Sequence, residues 1–243
     1  DRRELNRRLQ DGLGRITALV VPTVVGYLLI GDLIAAAVFQ TGKFGRVDTW
    51  AVWLVLSGYS VGLLARSSSR LMQSVLYGIG DTRSPSRIAV LRIAITSVLG
   101  IILMWQFDRF QMSSSGISLM ETIPALGPLP GPLRSADRIP DVMRLGAVGL
   151  SLSTAVAAWT EFVLLRRRVQ HEVGRITVGG EHFGRILAAG LASGAAGFAT
   201  RWIPLGEHVV VSGLLAVGVL ATVYGLVAMA LGVSEIQETV SSI

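Results

Sequence analysis

The residues best able to do chemistry in this sequence are charges set inside long apolar runs. Arg66 and Arg70 stand four apart, hence on one helical face; Arg92 lies in the next run, Glu161 in a later one and Asp32 in the first. Charge is costly in hydrocarbon, so each of these residues marks a pathway, a ligand contact or an ion pair. Two like charges at i and i+4 repel by a few tenths of a kcal/mol unless an anion lies between them. With Arg92 nearby, such a face suits a lipid phosphate or diphosphate held by bidentate contacts. The alternative is that the arginines snorkel to the interface and Glu161 pairs with one of them. At 1.5 Å per residue, Arg66 lies about 24 Å and Arg70 about 30 Å from Trp50, Arg92 about 6 Å from Ile88, and Glu161 about 24 Å from Leu145. These positions put all four towards one leaflet. Asp32, about 24 Å from Ile16 by the same rise, approaches the opposite interface and reads as a polar helix-end residue.

Other chemistry is poorly provided for. The absence of cysteine excludes disulfides, thiolate nucleophiles and Cys-ligated metals. His171, His182 and His208 fall in loops or at a span end, with no second ligand at metal spacing and no paired carboxylates for acid/base work. No enzyme active site, metal site or cofactor is expected. The Gly179-Gly180 pair lacks the strand and glycine spacing of a phosphate loop and reads as a turn.

The elements that must position the charges are membrane helices. Of 243 residues, 51% are hydrophobic and only 16% charged, against about 25% charged in soluble domains. Six runs approach the roughly 20 apolar residues that cross a bilayer: Ile16–Phe39, Trp50–Ile79, Ile88–Trp105, Leu145–Leu165, Ile186–Ile203 (with its helix starting near Phe183) and Val209–Val233. The runs are continuous, without the ten-residue alternation of a barrel, so the expectation is an all-α polytopic bundle with strands unlikely. Residues 1–168 would form a four-helix part and residues 169–243 the last two helices. Small residues recur at four-residue spacing in Gly58/Gly62 and Gly190/Gly194, which lets helix backbones approach closely.

The formal charge of +6 is almost all arginine, Lys43 being the single lysine. Such an excess serves topology and anionic lipid headgroups, and no nucleic-acid motif accompanies it. Arg2, Arg3, Arg7, Arg8, Arg15, Arg83, Arg87 and the Arg166–Arg168 run fall on the side shared by both termini, which predicts cytoplasmic termini. The segment Phe107–Met143, with Pro124, Pro128, Pro130, Pro132 and Pro140, reads as an irregular external loop. The opening stretch from Asp1 lacks the core of a signal peptide, so an upstream portion is expected to anchor and complete the bundle.

Between the second and third runs stands Leu76-Tyr77-Gly78-Ile79-Gly80-Asp81-Thr82-Arg83-Ser84-Pro85. This resembles the aromatic-Ala-x-Gly-Asp-Thr-Arg-Thr-Pro segment of the MurJ/MviN family of bacterial lipid II flippases, with Gly78 and Ser84 as mild departures. Phe39-Gln40-Thr41-Gly42-Lys43-Phe44 and Gly146-Ala147-Val148-Gly149-Leu150-Ser151-Leu152-Ser153-Thr154-Ala155 resemble the same family in the same order. A structural turn explains most of the first motif: Gly80 frees a helix end, Asp81 and Thr82 can cap, and Pro85 suits a first turn. Arg83 has no such role and faces the cytoplasmic headgroups.

The resemblance implies the C-terminal half of a fourteen-helix transporter of the multidrug/oligosaccharidyl-lipid/polysaccharide exporter superfamily, working by alternating access in the bacterial inner membrane. Its partners would be a polyprenyl-diphosphate-linked cell-wall precursor, membrane lipids and the missing N-terminal half. The last two helices would form an apolar groove for the lipid tail. Gly213 and Gly218 in the uncharged last run would leave depressions where a flexible chain could lie, unless that helix merely faces lipid. One rival is a drug/cation antiporter of the same superfamily, for which only Asp32 and Glu161 supply deep carboxylates. Another is a non-transporting scaffold.

Overall fold

A computed structural model describes residues 2–40, 42, 44–113, 116–119, 143–176, 180–203 and 208–233. Among them run the helices α1 (Arg2–Phe39), α2 (Arg46–Val61), α3 (Leu63–Gly78), α4 (Arg83–Phe107), α5 (Gly146–Val173), α6 (Gly180–Ala199) and α7 (Val209–Ala230). Taking α2 and α3 as one crossing, five are long and apolar enough to span a membrane. The sixth expected span, α6, has the length but is built largely of glycine and alanine and is not among those five. It packs its small face, through Gly190 and Gly194, on Val21, Val25 and Leu29 of α1.

Helices α1 and α5 are the central elements, α1 touching α2, α3, α6 and α7 while α5 carries α2, α3 and α4. Close approach is set by small residues. A Cβ on Gly62 would lie 2.8 Å from the Ala155 Cα, and one on Gly58 would overlap Ser151. The Gly58/Gly62 pair of one helix therefore meets the Ser151/Ala155 pair of another. Gly149 packs on the Leu103 backbone and Gly146 on Asp108, so the family-like stretch opening α5 is a two-sided packing surface. Where helices lack a hydrophobic drive to associate in lipid, such contact supplies the dispersion that holds them.

Gly62 also interrupts the span read as Trp50–Ile79. Its N–H turns back to the Tyr59 carbonyl at 3.1 Å, tightening the turn and separating α2 from α3. The Val61 carbonyl at this break accepts the Trp159 indole N–H at 2.9 Å.

Two helices run well beyond the apolar limits read from the sequence. α1 begins near Arg2 rather than Ile16, and α5 continues past Leu165 to Val173. Leu9, Leu13, Met72, Leu76, Leu165, Val169 and Ile176 form one buried cluster there. Burying side chains of this size contributes about 1.5–3 kcal/mol each, which is why these ends persist as helix.

The expectation of no strands, and of an irregular Phe107–Met143 loop, needs correction at the edges of that loop. β1 (Phe110–Ser113) pairs antiparallel with β2 (Gly116–Leu119) and with β3 (Met143–Arg144). Met112 from β1 is buried with Leu145 and Val148, which anchors the small sheet on α5. The proline-rich residues 120–142 lie outside the described residues.

Candidate functional site

Arg66, Arg70, Gln73 and Tyr77 follow one another at helical spacings of four, three and four, forming one stripe of α3. The Gln73 amide donates to Glu161 Oε1 at 2.9 Å, and Arg92 donates to Glu161 Oε2 at 3.1 Å. Glu161 is only 2% exposed, so one buried carboxylate of α5 gathers an amide from α3 and a guanidinium from α4. Both of its oxygens are engaged, as a charge withdrawn from water requires. Glu161 thus stands in an ion pair with Arg92.

Arg66 and Arg70 make no side-chain hydrogen bond or ion pair with any described residue; Arg66 is half-buried and Arg70 exposed. The carboxylate of Glu161 thus occupies part of Arg92 and leaves the α3 pair as unneutralised cations on the same stripe. Gln73 is the member that sequence reasoning missed. Its signal was its place three residues beyond Arg70.

The Gly80–Pro85 turn is closed on both sides. Gly80 has φ +85°, its N–H bonds Tyr77 O at 3.0 Å, and the Asp81 N–H bonds Leu76 O at 2.9 Å. This nested pair ends α3, and only glycine adopts that φ without strain. Asp81 Oδ1 accepts the Ser84 N–H at 3.0 Å and its Oδ2 accepts Arg168 Nε at 2.9 Å. Asp81 therefore caps α4, whereas the Thr82 side chain makes no capping bond, and Pro85 is buried in the first turn. Arg168 further reaches the Ser84 hydroxyl at 3.1 Å and Glu172 at 3.2 Å. Hydrogen bonds from Ser84, reinforced by Arg168, hold the Asp81 carboxyl down at about 2. Arg83 is exposed.

On the opposite side, Asp32 is paired with Arg201, whose guanidinium also reaches Leu29 O at 3.1 Å and lies 4.5 Å from the Phe198 ring centroid. The residue read as a helix-end polar group thereby ties α1 to the end of α6.

The tail-groove reading changes at one glycine. Gly213 is buried against α1, where a Cβ would lie 2.8 Å from the Leu33 carbonyl oxygen, so it offers no depression to a chain. Gly218 faces open space. The two are five residues apart, about 140° around the helix at 3.6 residues per turn, which is why they cannot share a face. His171 and His182, read as loop residues, sit in α5 and α6, and His208 precedes α7. No group of metal-ligating side chains occurs among the described residues. Gly180 opens α6; Gly179, Thr41 and Lys43 lie outside the described residues.

Long apolar helices, small-residue packing and a paired carboxylate beside unneutralised arginines define a polytopic helical membrane protein with charge inside its bundle. The model of the family described as lipid II flippase MurJ matches residues 1–123, just over half of the chain. This chain belongs to that family. A probable lipid II flippase MurJ of Rhizobium tropici is 30% identical over 105 residues, covering 43% of this chain and 19% of the relative. Its counterpart from Bdellovibrio bacteriovorus is 28% identical over 99 residues, 41% of this chain and 19% of the relative. The matched stretch thus spans about a fifth of the length of these relatives.

Proposed function

We propose that this chain is the C-terminal part of a transporter that flips lipid II, a polyprenyl-diphosphate-linked peptidoglycan precursor, across the bacterial inner membrane. No covalent chemistry is needed. Residues 1–168 supply the cationic contacts and residues 169–243 an apolar path, while rocking against an N-terminal half exchanges access. The observation that carries the assignment to a headgroup is the α3 stripe: Arg66 and Arg70 present two cations on one face without a described partner, beside the Arg92–Glu161–Gln73 junction. A diphosphate relieves their mutual repulsion and accepts bidentate hydrogen bonds. The antiporter reading is disfavoured because Asp32 and Glu161 are each already paired with an arginine.

The test is replacement of Arg66 and Arg70 together by Gln in the full-length protein. Lipid II transport is expected to fall at least tenfold at equal protein level. Unchanged transport would show that the pair only snorkels.

The proposed orientation has both termini cytoplasmic. In the cysteine-free background of this chain, cysteines at Arg83 and Arg167 should resist an impermeant thiol reagent in intact cells, while one at exposed Ile117 should react. The opposite pattern would reverse the topology.

A further inference from the structure

Helix α5 carries a stripe that the headgroup assignment does not use. Leu152, Ala155, Trp159, Phe162 and Arg166 succeed one another at spacings of three and four, so they share one face. Two cavities lie along it. The first, of 490 Å³, is walled by Val61, Leu152, Val156, Trp159 and Val163 and is almost wholly apolar. The second, of 320 Å³, adjoins the first at Trp159 and lies between α1, α3, α5 and the start of α6, with Thr17, Ser68, Met72, Phe162 and Arg166 in its walls. Trp159 lines both, held by its indole bond to Val61 O at 2.9 Å and edge-on to Phe162 at 5.6 Å between centroids. From Leu152 to Arg166 the trough runs about 21 Å at 1.5 Å per residue.

We infer that this trough seats one acyl chain of an anionic phospholipid, with Trp159 in contact with the chain and Arg166 at the phosphate. Three observations select that occupant. The walls are mostly apolar, broken by the Thr17 and Ser68 hydroxyls, and among the described residues one guanidinium and no acidic side chain lines the second cavity. Arg166 spends one nitrogen on Ile176 O at 3.2 Å and keeps further donors for a phosphate oxygen. A length of about 21 Å spans somewhat more than one leaflet of an approximately 30 Å hydrocarbon core, which suits a lipid chain entering from one side. A single guanidinium matches a phosphodiester, whereas the paired cations of α3 lie on another helix. The site would be occupied by bilayer lipid whether or not the transported substrate is present.

Brominated chains quench tryptophan on contact, so the full-length protein in nanodiscs can report occupancy through the part of its fluorescence lost in Trp159→Phe. Dibrominated phosphatidylglycerol is expected to quench that part at least threefold more than dibrominated phosphatidylcholine at the same mole fraction. Arg166→Gln should abolish the preference and Arg166→Lys should keep most of it. Equal quenching by the two lipids in the unaltered protein, or none by either, would overturn the proposal. If unlabelled undecaprenyl phosphate relieves the quenching but unlabelled phosphatidylglycerol does not, the seat belongs to a polyprenyl chain and the phospholipid assignment fails.

Discussion

The Tyr224 hydroxyl of α7 donates a hydrogen bond to the Ala18 carbonyl of α1, the acceptor that Pro22 leaves without a helical donor. Proline has no N–H, so the carbonyl four residues earlier is orphaned inside the helix. Within lipid, no water reaches such a group, and a neighbouring helix has to supply the proton. Tyr224 and Ala18 are both buried, in one cluster with Val21, Val25 and Ile186. The last helix is therefore fastened to the first at the point where the first is weakest.

Tyr224→Phe should consequently destabilise the folded protein by about 1 kcal/mol, the scale of one interhelical hydrogen bond in a membrane. With Pro22→Ala, which restores the missing N–H, the same Tyr224→Phe change should cost much less. A double-mutant cycle read by thermal denaturation in detergent measures this coupling. Equal losses in both backgrounds would mean that the tyrosine acts by packing alone.

The contacts of Asp81 with Ser84 and Arg168 give a pH dependence of definite sign. The folded carboxyl is held near 2, below its ordinary value of 3.8. Its contribution to stability is therefore complete above about pH 4 and disappears as the pH falls through about 2. Between those limits the unaltered protein should lose stability more steeply than Asp81→Asn, which has nothing there to protonate. Parallel denaturation midpoints for the two proteins from pH 5 to 2.5 would remove Asp81 as the source. Arg168→Lys should weaken the joint as well, since lysine lacks the fork that reaches Asp81, Ser84 and Glu172 together.

The membrane class, the helical fold and the family were legible because each depends on long runs or local motifs. Continuous apolar stretches survive any packing arrangement, and Gly80-Asp81-Thr82-Arg83-Ser84-Pro85 encodes a turn whose hydrogen bonds are local apart from those of Arg168. The N-terminal part of α1 and the C-terminal part of α5 were missed because they are amphipathic. Leu5, Leu9 and Leu13, and likewise Leu165, Val169 and Val173, repeat every four residues among arginines, a pattern that a search for unbroken hydropathy passes over. The break at Gly62 was hidden for another reason. Glycine is common in membrane helices, and only the Gly62 N–H turning back to the Tyr59 carbonyl shows that this one breaks the helix. The partners of Glu161, Asp32 and Tyr224 are 69, 169 and 206 residues away in sequence, beyond any local rule.

The two glycines of α7 allow opposite forecasts from the same type of residue. A Cβ at Gly213 would press on the Leu33 carbonyl and on Ala37, which belong to backbone and to a side chain with no freedom to move. Gly213→Ala should therefore separate α7 from α1 and lower the denaturation midpoint by an amount in the overpacking range of about 1–3 kcal/mol. At Gly218 nothing lies within 4 Å of the added atom, so even Gly218→Trp should fold and insert normally. Its consequence depends on what covers that surface. If a polyprenyl tail slides along this face, the indole should obstruct lipid II transport severalfold at normal protein level; if only fluid acyl chains cover it, transport should be unaffected. Full transport by Gly218→Trp would remove the groove from this face of α7 and leave the headgroup assignment standing.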